Sequence, residues 1–457
     1  MYKIILAVRF LIRRRIAYLA VFAVALCVFM VVVVMTVMTG LVRDFKVKNH
    51  NWVGDCVLSS DSMVGFSYYE EFVDILENAD FVEAVSPVIK SYALFRFGES
   101  EHNSGIELMG IDAERHCRVT NFGDTIHYHK GSCTSVFEPE YDPNFPGGVL
   151  GIDMVSHRDE LGRYRHRDKA PAFCFSISCF PLTARGGLAK AGLGLVNTKT
   201  FYYSDSSHSG LAKVDGSFVY LPFDDAQTLC GMGMEPKRVN AIHIRFKPGG
   251  RGGSRTARKG GYNKVKRLWE EFVEKKTEAK AKQANLLEKV RVESWKGYRR
   301  EMIAPVEKEQ VMMMAAFGMI GIITVFIVFV VFYMIVRHKS KDIGILKSIG
   351  IAKGDIVKLF LCFAFLVGVL GSAIGATAGV VFLTRINQIE RWLYDHYGFQ
   401  VWDRMFYAID DIPNEIEFGT MAVIIGSAIF ACLLGAVVPS WQAARLKPVE
   451  SLRVGQL

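Results

Sequence analysis

Four long runs of the sequence contain no charged residue, and they constrain the fold more than any other feature. The runs are Ile16–Val42, Val311–Val336, Leu359–Thr384 and Phe418–Ala444. Each is longer than the roughly 20 apolar residues that an α-helix needs to cross a hydrocarbon core of about 30 Å. Because a bilayer core offers the backbone no water, each segment must satisfy its own hydrogen bonds as a helix. The sequence therefore predicts four membrane-spanning helices.

Two other interpretations of these runs are weaker. Four buried helices of a soluble protein would be unusually long and apolar, and Lys and Arg residues border most of the runs. A cleaved signal peptide has an apolar region of only about 7–15 residues, and the first run is longer and lacks a small-residue cleavage site. Hydrophobic residues make up 51% of the chain and charged residues 22%, which fits a protein that is part membrane and part aqueous domain.

Basic residues close to the spans predict their orientation, because short cytoplasmic loops are enriched in Lys and Arg. They precede the first span, lie between the second and third, and follow the fourth: Arg9, Arg13, Arg14, Arg15, Arg337, His338, Lys339, Lys341, Lys347, Lys353, Lys358, Arg445, Lys447 and Arg453. Both termini and the loop 337–358 are then cytoplasmic. Residues 43–310 and 385–417 lie on the extracytoplasmic side of the inner membrane. The net charge of +9 reflects this topology, and no nucleic-acid motif accompanies it.

The residues between the first two spans are numerous enough to bury a core of their own. Apolar runs separated by turn residues predict strands at Val82–Val88, Ser91–Phe97, Ala172–Ile177, Ser217–Leu221 and Asn240–Phe246. Helices are predicted at Tyr68–Asn78, with Ser67 as N-cap, at Asp224–Leu229 and at Tyr262–Asn285. The predicted fold is an α-helical membrane protein with a large extracytoplasmic mixed α/β domain. Its three parts are residues 1–45, 46–310 and 311–457.

Two stretches of this domain are predicted to be irregular. Residues Asp112–Asp168 are rich in Pro, Gly, His and Asp, which predicts loops or insertions. Gly249–Gly261 combines glycines with Arg and Lys and is predicted to be a flexible basic loop. After it, an apolar stripe at helical spacing predicts a helical arm: Val265, Leu268, Trp269 and Phe272.

Six of the nine cysteines lie in the predicted outside domain: Cys56, Cys117, Cys133, Cys174, Cys179 and Cys230. An oxidising compartment would allow disulfide bonds among them, but the sequence alone does not select the pairing. His127, His129 and Cys133 have a spacing that could hold zinc, although two histidines in a polar loop by chance are commoner. We therefore predict no metal site.

Motifs for nucleotide binding and catalysis are absent from the sequence. The pattern G-x-x-x-x-G-K-[ST], which wraps phosphates in many ATPases, does not occur, and neither does the G-x-S-x-G nucleophile motif. The chain is therefore predicted to have no catalytic residues, no cofactor and no ATP site of its own.

Glycines recur in the third span at Gly368, Gly371, Gly375 and Gly379. Small residues spaced by four on one helix face let another helix approach closely, so these positions are predicted to be helix-packing sites. Generic use of glycine in membrane helices is the alternative. Because no charge interrupts any span, an ion pathway is disfavoured, and an apolar or amphiphilic cargo fits better.

The cytoplasmic loop between the second and third spans contains a short amphipathic segment with Ile343, Leu346 and Ile349 at helical spacing. Gly350 is predicted to end this helix. A soluble partner could dock here and pass its motion to both spans, or the helix could lie on the lipid headgroups. The candidate coupling residues are Lys341, Asp342, Ile343, Gly344, Ile345, Leu346, Lys347 and Gly350.

Several segments resemble known permeases. Lys341–Gly350 (KDIGILKSIG) resembles the coupling segment of FtsX-like permeases, commonly K/R-D-I-A-I-L-R-A-L-G, and Pro439–Arg453 resembles their C-terminal ending. Further segments are similar to the permeases of lipoprotein-releasing (Lol-type) ABC transporters: Leu6–Arg15, Val33–Phe45, Ser209–Gly231, Ser294–Gln310 and Phe406–Phe418. Residues 100–170 and 249–290 depart from the family pattern.

The resemblance implies a MacB/Lol-type periplasmic core domain and a set of partners. These are two copies of a separate ABC ATPase that binds the ATP, a second permease subunit or a second copy of this chain, a lipoprotein substrate and a periplasmic carrier. The implied function is release of lipoproteins from the membrane. An efflux permease of the MacB kind, or an FtsX-like regulator of a cell-wall hydrolase, would share the same four-span plan.

Overall fold

A computed structural model of the protein describes residues 15–98, 102–158, 164, 169–188, 196–248, 254–338, 340–398 and 412–445. Some sequence predictions fall wholly or partly outside these residues: the motif Leu6–Arg15 and its arginines before Arg15, residues 249–253 of the basic loop, Lys339, residues 399–411 of the last loop, and the tail beyond Arg445.

Thirteen α-helices occur among the described residues. In chain order they are α1 (Arg15–Val53), α2 (Tyr69–Glu77), α3 (Ala113–Val119), α4 (Phe122–Thr125), α5 (Ile152–Val155), α6 (Ala212–Ser217), α7 (Phe223–Leu229), α8 (Ser254–Glu278), α9 (Trp295–Tyr298), α10 (Arg300–His338), α11 (Ser340–Ser348), α12 (Lys353–Tyr397) and α13 (Phe418–Arg445). Among these, α1, α10, α12 and α13 are long and apolar enough to cross a membrane. The prediction of four spans is confirmed.

Eleven strands are described, and all lie in the sequence between α1 and α10. They are β1 (Cys56–Ser60), β2 (Phe66–Ser67), β3 (Val82–Phe97), β4 (Asn103–Ile111), β5 (Gly147–Gly151), β6 (Cys174–Cys179), β7 (Asn197–Ser207), β8 (Phe218–Pro222), β9 (Arg238–Val239), β10 (Ala241–Phe246) and β11 (Val290–Ser294). A mixed α/β domain inserted after the first span is therefore confirmed.

The described residues form two compact units. One contains the spanning helices, with residues up to Arg43 and most of the chain from Pro305 onward, and the other is Asp44–Ala304. The divisions predicted from the sequence, after residues 45 and 310, stay predictions.

Nine of the strands form one sheet, in the order β11-β1-β10-β3-β4-β8-β5-β7-β6. An additional pairing joins β6 back to β3, where Ala93–Phe97 lie opposite Phe175–Cys179. Six strands, β3, β4, β8, β5, β7 and β6, thus form a closed ring of pairings. The strands β10, β1 and β11 extend the sheet from the first half of β3.

Both faces of this sheet are buried. Leu58 of β1 and Ile89 of β3 belong to the larger hydrophobic cluster, which also contains Phe72 of α2. Their neighbours Val57 and Val88 belong to a second cluster on the other face. Successive side chains of a strand point to opposite faces, so the two clusters sandwich the sheet.

The two strands predicted at Val82–Val88 and Ser91–Phe97 are one continuous strand, β3. The two predicted strands leave out Ile89 and Lys90, through which β3 continues. In the structure the Lys90 ammonium lies 5.2 Å from the centre of the Trp52 ring and 4.6 Å from that of Tyr298. These aromatic faces stabilise the cation and allow the strand to continue.

The N-cap predicted for α2 at Ser67 is wrong. Ser67 is the second residue of β2 and lies opposite Arg238 of β9. The cap position is Tyr68, whose φ of 61° turns the chain sharply, and no side chain caps the helix there. Because Ser67 is part of the pairing between β2 and β9, it does not occupy the cap position of α2.

Two predicted loop regions contain regular structure. The helical arm is confirmed, but α8 begins at Ser254, so the basic loop predicted over Gly249–Gly261 is helical in its described part. Gly261 lies against the Phe246 ring, where an added Cβ would be 3.0 Å from the nearest ring carbon, so helix and strand approach closely. Residues Asp112–Asp168, also predicted as loops, contain α3, α4, β5 and α5.

Candidate coupling site and its surroundings

The segment predicted to couple a partner to the membrane forms the short helix α11, which lies between α10 and α12. Lys341, Asp342, Ile343, Gly344, Ile345, Leu346 and Lys347 lie in this helix, and Gly350 follows it. Gly350 has a φ of +99°, and its N–H donates to the carbonyl of Lys347 at 3.0 Å. A left-handed glycine after the last helical turn is a common helix stop, so the end of α11 is as predicted.

The apolar residues of α11 do not share one face. Ile343 is only 4% exposed and belongs to the buried cluster of the spanning helices, which includes Ile356 of α12 and Ala443 of α13. Ile345 and Ile349 are 49% and 76% exposed. Because each residue turns the helix by about 100°, Ile349 lies about 120° away from Ile343, so these two residues of the amphipathic segment have different surroundings.

Two faces of α11 therefore have different environments. Ile343 and Gly344 are buried among the ends of the spanning helices. Ile349 directly follows α11, and its N–H donates to the carbonyl of Ile345 at 3.1 Å, so it lies one turn beyond Ile345 on the same side. The two form an exposed apolar pair. We call Ile345 and Ile349 the exposed pair. Such a pair beside a buried anchor is typical of a helix that is fixed on one side and contacts a partner on the other.

A hydrogen bond joins α11 to the end of α13. The Lys347 ammonium donates to the carbonyl oxygen of Ala444 at 2.8 Å. The last carbonyls of a helix have no partner within the helix, and a cation there is favourable. Partial desolvation and the nearby charge of Lys353 lower the pKa of Lys347. This bond and the packing of Ile343 connect α11 to the α12–α13 bundle.

Three of the predicted packing glycines of α12 lie against α1. An added Cβ would lie 2.8 Å from the Cβ of Val24 at Gly371, 2.9 Å from that of Val28 at Gly375, and 3.0 Å from Cγ1 of Val32 at Gly379. Glycines and valines both recur every four residues, so the two helices mesh along one line. The structure thus brings these positions together with the first span, and their contribution to helix association stays a prediction.

Gly368 lies on another side of α12 and packs against α13. An added Cβ there would lie 3.2 Å from the Cα of Ile429 and 3.3 Å from the Cβ of Cys432. Gly435 of α13 is a further close-packed glycine, because its added Cβ would lie 2.7 Å from the carbonyl oxygen of Val325 in α10. Sequence reasoning missed Gly435, which has no partner glycine at a regular spacing.

The three residues whose spacing could hold zinc, His127, His129 and Cys133, make structural contacts in the inserted domain. Cys133 forms a disulfide bond with Cys117, so its sulfur is not available to a metal. The backbone N–H groups of His127 and His129 donate to the buried carboxylate of Asp205. A hydrogen bond from the His129 ring to the same carboxylate raises the pKa of His129. In the described part of the chain, no group of three His, Cys, Asp or Glu residues could hold a metal ion.

The family-like segment Ser209–Gly231 is held by buried polar contacts. Asp215 accepts hydrogen bonds from the backbone N–H and hydroxyl of Ser209, both at 2.7 Å, and from the N–H of Gly210 at 3.0 Å. Gln227 donates to the carbonyl of Arg238 at 3.1 Å. Buried polar groups need such partners. These contacts fix the turn into α6 and hold α7 against its neighbours. The residues of this segment therefore have a structural role.

A family model and several relatives match this chain. Residues 314–448 match the model described as FtsX-like permease C-terminal. The lipoprotein-releasing system transmembrane protein LolC of Xylella fastidiosa is 24% identical over 162 residues, which are 35% of this chain and 39% of that protein. This chain therefore aligns with only about two fifths of that relative. LolC of Neisseria meningitidis serogroup B is 20% identical over 436 residues, 94% of this chain and 92% of that protein.

Relatives with other names match a shorter part of the chain. The macrolide export ATP-binding/permease protein MacB of Bdellovibrio bacteriovorus is 27% identical over 121 residues, 26% of this chain and 15% of that protein. Among solved structures, the periplasmic region of MacB from Actinobacillus actinomycetemcomitans covers 56% of this chain and 95% of its own, at 11% identity and a TM-score of 0.30. That likeness is too distant to bear on the fold.

The order of elements and the relatives agree with one another. Four spanning helices surround an inserted α/β domain in the sequence, and the family match covers α12, α13 and most of α10. An alignment with a permease subunit runs nearly the whole length of both proteins. Residues 314–448 are an FtsX-like permease region, and the four-span plan of the chain is similar to that of lipoprotein-releasing transmembrane proteins.

Proposed function

We propose that this chain is the transmembrane subunit of an ABC transporter that releases lipoproteins from the cytoplasmic membrane, with ATP hydrolysed on a separate subunit. Both termini and α11 are cytoplasmic in this proposal, and the inserted domain lies outside. The functional unit contains two ATPase copies and either a second permease or a second copy of this chain. A periplasmic carrier receives the lipoprotein.

The observation that carries the proposal is the extent of the alignment with LolC of Neisseria meningitidis. It includes 94% of this chain, so it crosses the inserted domain as well as the spans. The match to the macrolide exporter MacB covers 26% of the chain. A relative that aligns across the inserted domain as well as the spans is the better guide to the cargo than one that matches a quarter of the chain.

The disulfide bond between Cys117 and Cys133 supports the proposed placement of the inserted domain. Disulfide bonds persist in oxidising compartments and are rare in the cytosol. With the inserted domain outside, α1 and α10 cross the membrane in opposite directions, and α11 faces the cytoplasm. The basic residues around α11 agree with this orientation.

The exposed pair of α11, Ile345 and Ile349, is the proposed contact with the ATPase. Apolar side chains at the centre of an interface often contribute most of its binding energy. Ile343 and Lys347 anchor the other side of α11 to the spanning helices. A displacement of α11 caused by ATP binding on the partner would therefore reach α12 and α13 directly.

The uncharged spans suit the proposed cargo. A lipoprotein has acyl chains that remain in the outer leaflet until they are extracted, so no polar path across the bilayer is required. A charged side chain in the bilayer centre is costly and usually marks an ion or proton path. The four runs without charge agree with extraction of a lipid-anchored substrate.

Export of a small amphiphilic molecule is the second candidate function, and the local match to the macrolide exporter favours it. The two functions predict different responses to cargo. A lipoprotein-releasing complex changes its ATPase rate when a purified lipoprotein is added in detergent or liposomes. An exporter responds to a macrolide and ignores the lipoprotein.

The decisive experiment is co-purification of the full chain in detergent with each ABC ATPase subunit of the same genome, followed by ATPase assays. We expect one ATPase to bind, and its rate to change severalfold with a triacylated lipoprotein but not with the same protein lacking its acyl chains. The variant Ile345→Asp/Ile349→Asp should weaken ATPase binding more than tenfold. The matched control is Ile389→Asp, an exposed isoleucine of α12, which should leave binding intact.

Each negative outcome removes a different part of the proposal. Binding that survives the double substitution would exclude the exposed pair as the contact. Binding without a lipoprotein effect, together with stimulation by a macrolide, would replace lipoprotein release by export. Binding to none of the ATPases would refute the ABC subunit role.

A further inference from the structure

Two free cysteines of the inserted domain have their sulfur atoms in contact. Cys179 is the last residue of β6, and Cys230 follows the last residue of α7. Both belong to the larger hydrophobic cluster and are 0% and 2% exposed. The Cys179 thiol donates a hydrogen bond to the sulfur of Cys230.

The backbone holds the two cysteines together from both sides. Asn197 lies directly opposite Cys179 in the ladder between β6 and β7, and its amide donates to the carbonyl of Leu229 at 3.0 Å. On the other side, the N–H of Leu182 donates to the carbonyl of Cys230 at 3.3 Å. The backbone segments that carry Cys179 and Cys230 are therefore held close together by the fold, whatever the rotamer of either thiol.

The two thiols also differ in acidity. The hydrogen bond from Cys179 lowers the pKa of Cys230, and the same bond, together with burial, raises the pKa of Cys179.

We propose that Cys179 and Cys230 form a second disulfide bond, beside Cys117–Cys133, when the domain folds in an oxidising compartment. This inference rests on the outside placement of the domain in the proposed function. The bond joins the end of β6, within the closed ring of strands, to the end of α7. It therefore fixes a helix that covers the sheet to the ring itself.

The chemistry is thiol–disulfide exchange with the disulfide of an oxidising dithiol protein. The thiolate of one cysteine attacks that disulfide and displaces one of its sulfurs as a thiolate, which leaves a mixed disulfide. The other cysteine then loses its proton and attacks the sulfur of the first, which displaces the second thiolate. The two cysteines together give up two electrons and two protons, and the oxidant becomes a dithiol. Because both sulfurs are buried in the folded domain, this exchange takes place before folding is complete.

Mass spectrometry of the full chain tests the proposal. The protein is extracted from membranes without reductant, denatured with iodoacetamide and digested, and linked peptides are identified. We expect one linked pair with Cys179 and Cys230 and another with Cys117 and Cys133. The linked pair should disappear in Cys179→Ala and persist in Cys174→Ala, a matched substitution on the same strand.

A stability measurement gives an independent readout. Reductant should lower the Tm of the wild type by several degrees more than that of the variant Cys179→Ala/Cys230→Ala, in which only the bond between Cys117 and Cys133 remains to be reduced. Carboxamidomethyl groups on both Cys179 and Cys230 in a sample that retains the Cys117–Cys133 link would overturn the proposal. Alkylation of all four cysteines would overturn it together with the outside placement of the domain. Neither result depends on lipoprotein release.

Discussion

Two buried histidines predict how the inserted domain responds to acid. His116 of α3 and His243 of β10 are 1% and 0% exposed, and their ring centres lie 5.7 Å apart. Nδ1 of His116 shares a hydrogen bond of 3.2 Å with the hydroxyl of Ser86. Burial and the nearby charge of Lys90 lower the pKa of His116 to about 3. Burial and the charge of Lys90 also lower the pKa of His243 well below its usual value.

The direction of the pH effect follows from proton binding. Between pH 6.5 and about 3 the unfolded chain carries a proton on His116 and the folded domain does not. The lowered pKa of His243 acts in the same direction. Stability is therefore complete above pH 6.5 and is lost as the pH falls below that value. At pH 5, His116 is about 1.5 pH units below its unfolded pKa, which corresponds to a loss of about 2 kcal/mol between pH 7.5 and pH 5.

The measurement is urea unfolding of the full chain in detergent at several pH values. Pulsed hydrogen exchange of peptides from β10 and α3 reports unfolding of this domain separately from the spanning helices. The variant His116→Asn/His243→Leu keeps an acceptor for Ser86 and an apolar group of similar size, but it cannot bind the protons. We expect a flatter dependence of its unfolding free energy on pH, whatever its stability at pH 7.5.

Equal pH slopes in the wild type and the double variant would refute this reasoning. They would mean that other groups set the acid response, or that the two histidines bind protons without unfolding. A single variant, His243→Leu, separates the two contributions, since only the part of the slope caused by His116 should remain.

Two further predictions concern the spanning helices and the buried aspartate. Gly375→Val should destabilise the packing of α12 on α1 by about 1–3 kcal/mol, because its added Cβ meets Val28 at 2.9 Å. Thermal unfolding in detergent checks this, with Gly426→Val as a control at a position where an added Cβ meets nothing within 4 Å. An unchanged midpoint would contradict it. Asp205→Asn should destabilise the domain by about 2–3 kcal/mol and lower the pKa of His129, measured by NMR titration, since the bond to the carboxylate raises that pKa now. A constant pKa would exclude Asp205 as the cause.

The spans could be predicted from the sequence because their signal depends on composition alone. A run without charge is visible residue by residue, and a membrane leaves few alternatives to a helix. The position of helix α11 in the sequence could be predicted, but which of its sides is buried could not. Ile343 is buried and Ile349 exposed because the ends of α12 and α13 cover one side of α11, and a short sequence does not contain that information.

Long-range pairings account for most of what the sequence could not provide. The length of β3 depends on Trp52 and Tyr298, which receive the Lys90 ammonium from distant parts of the chain. The partner of Cys133 could not be chosen among the outside cysteines. Gly435 contacts α10 without any repeat in its own helix to mark it. In each case the deciding neighbour lies far away in sequence.

The closed ring of strands has a consequence for how the domain opens. Each of its six strands has a hydrogen-bonded neighbour on both sides, so none can separate unless two ladders break together. Among the residues that the structure describes, strand β11 has a hydrogen-bonded neighbour on one side only. We therefore expect amide hydrogens in the ring to exchange slowly and as one group, while those of β11 exchange first. A domain built in this way can open at its margin while its central strands keep their register.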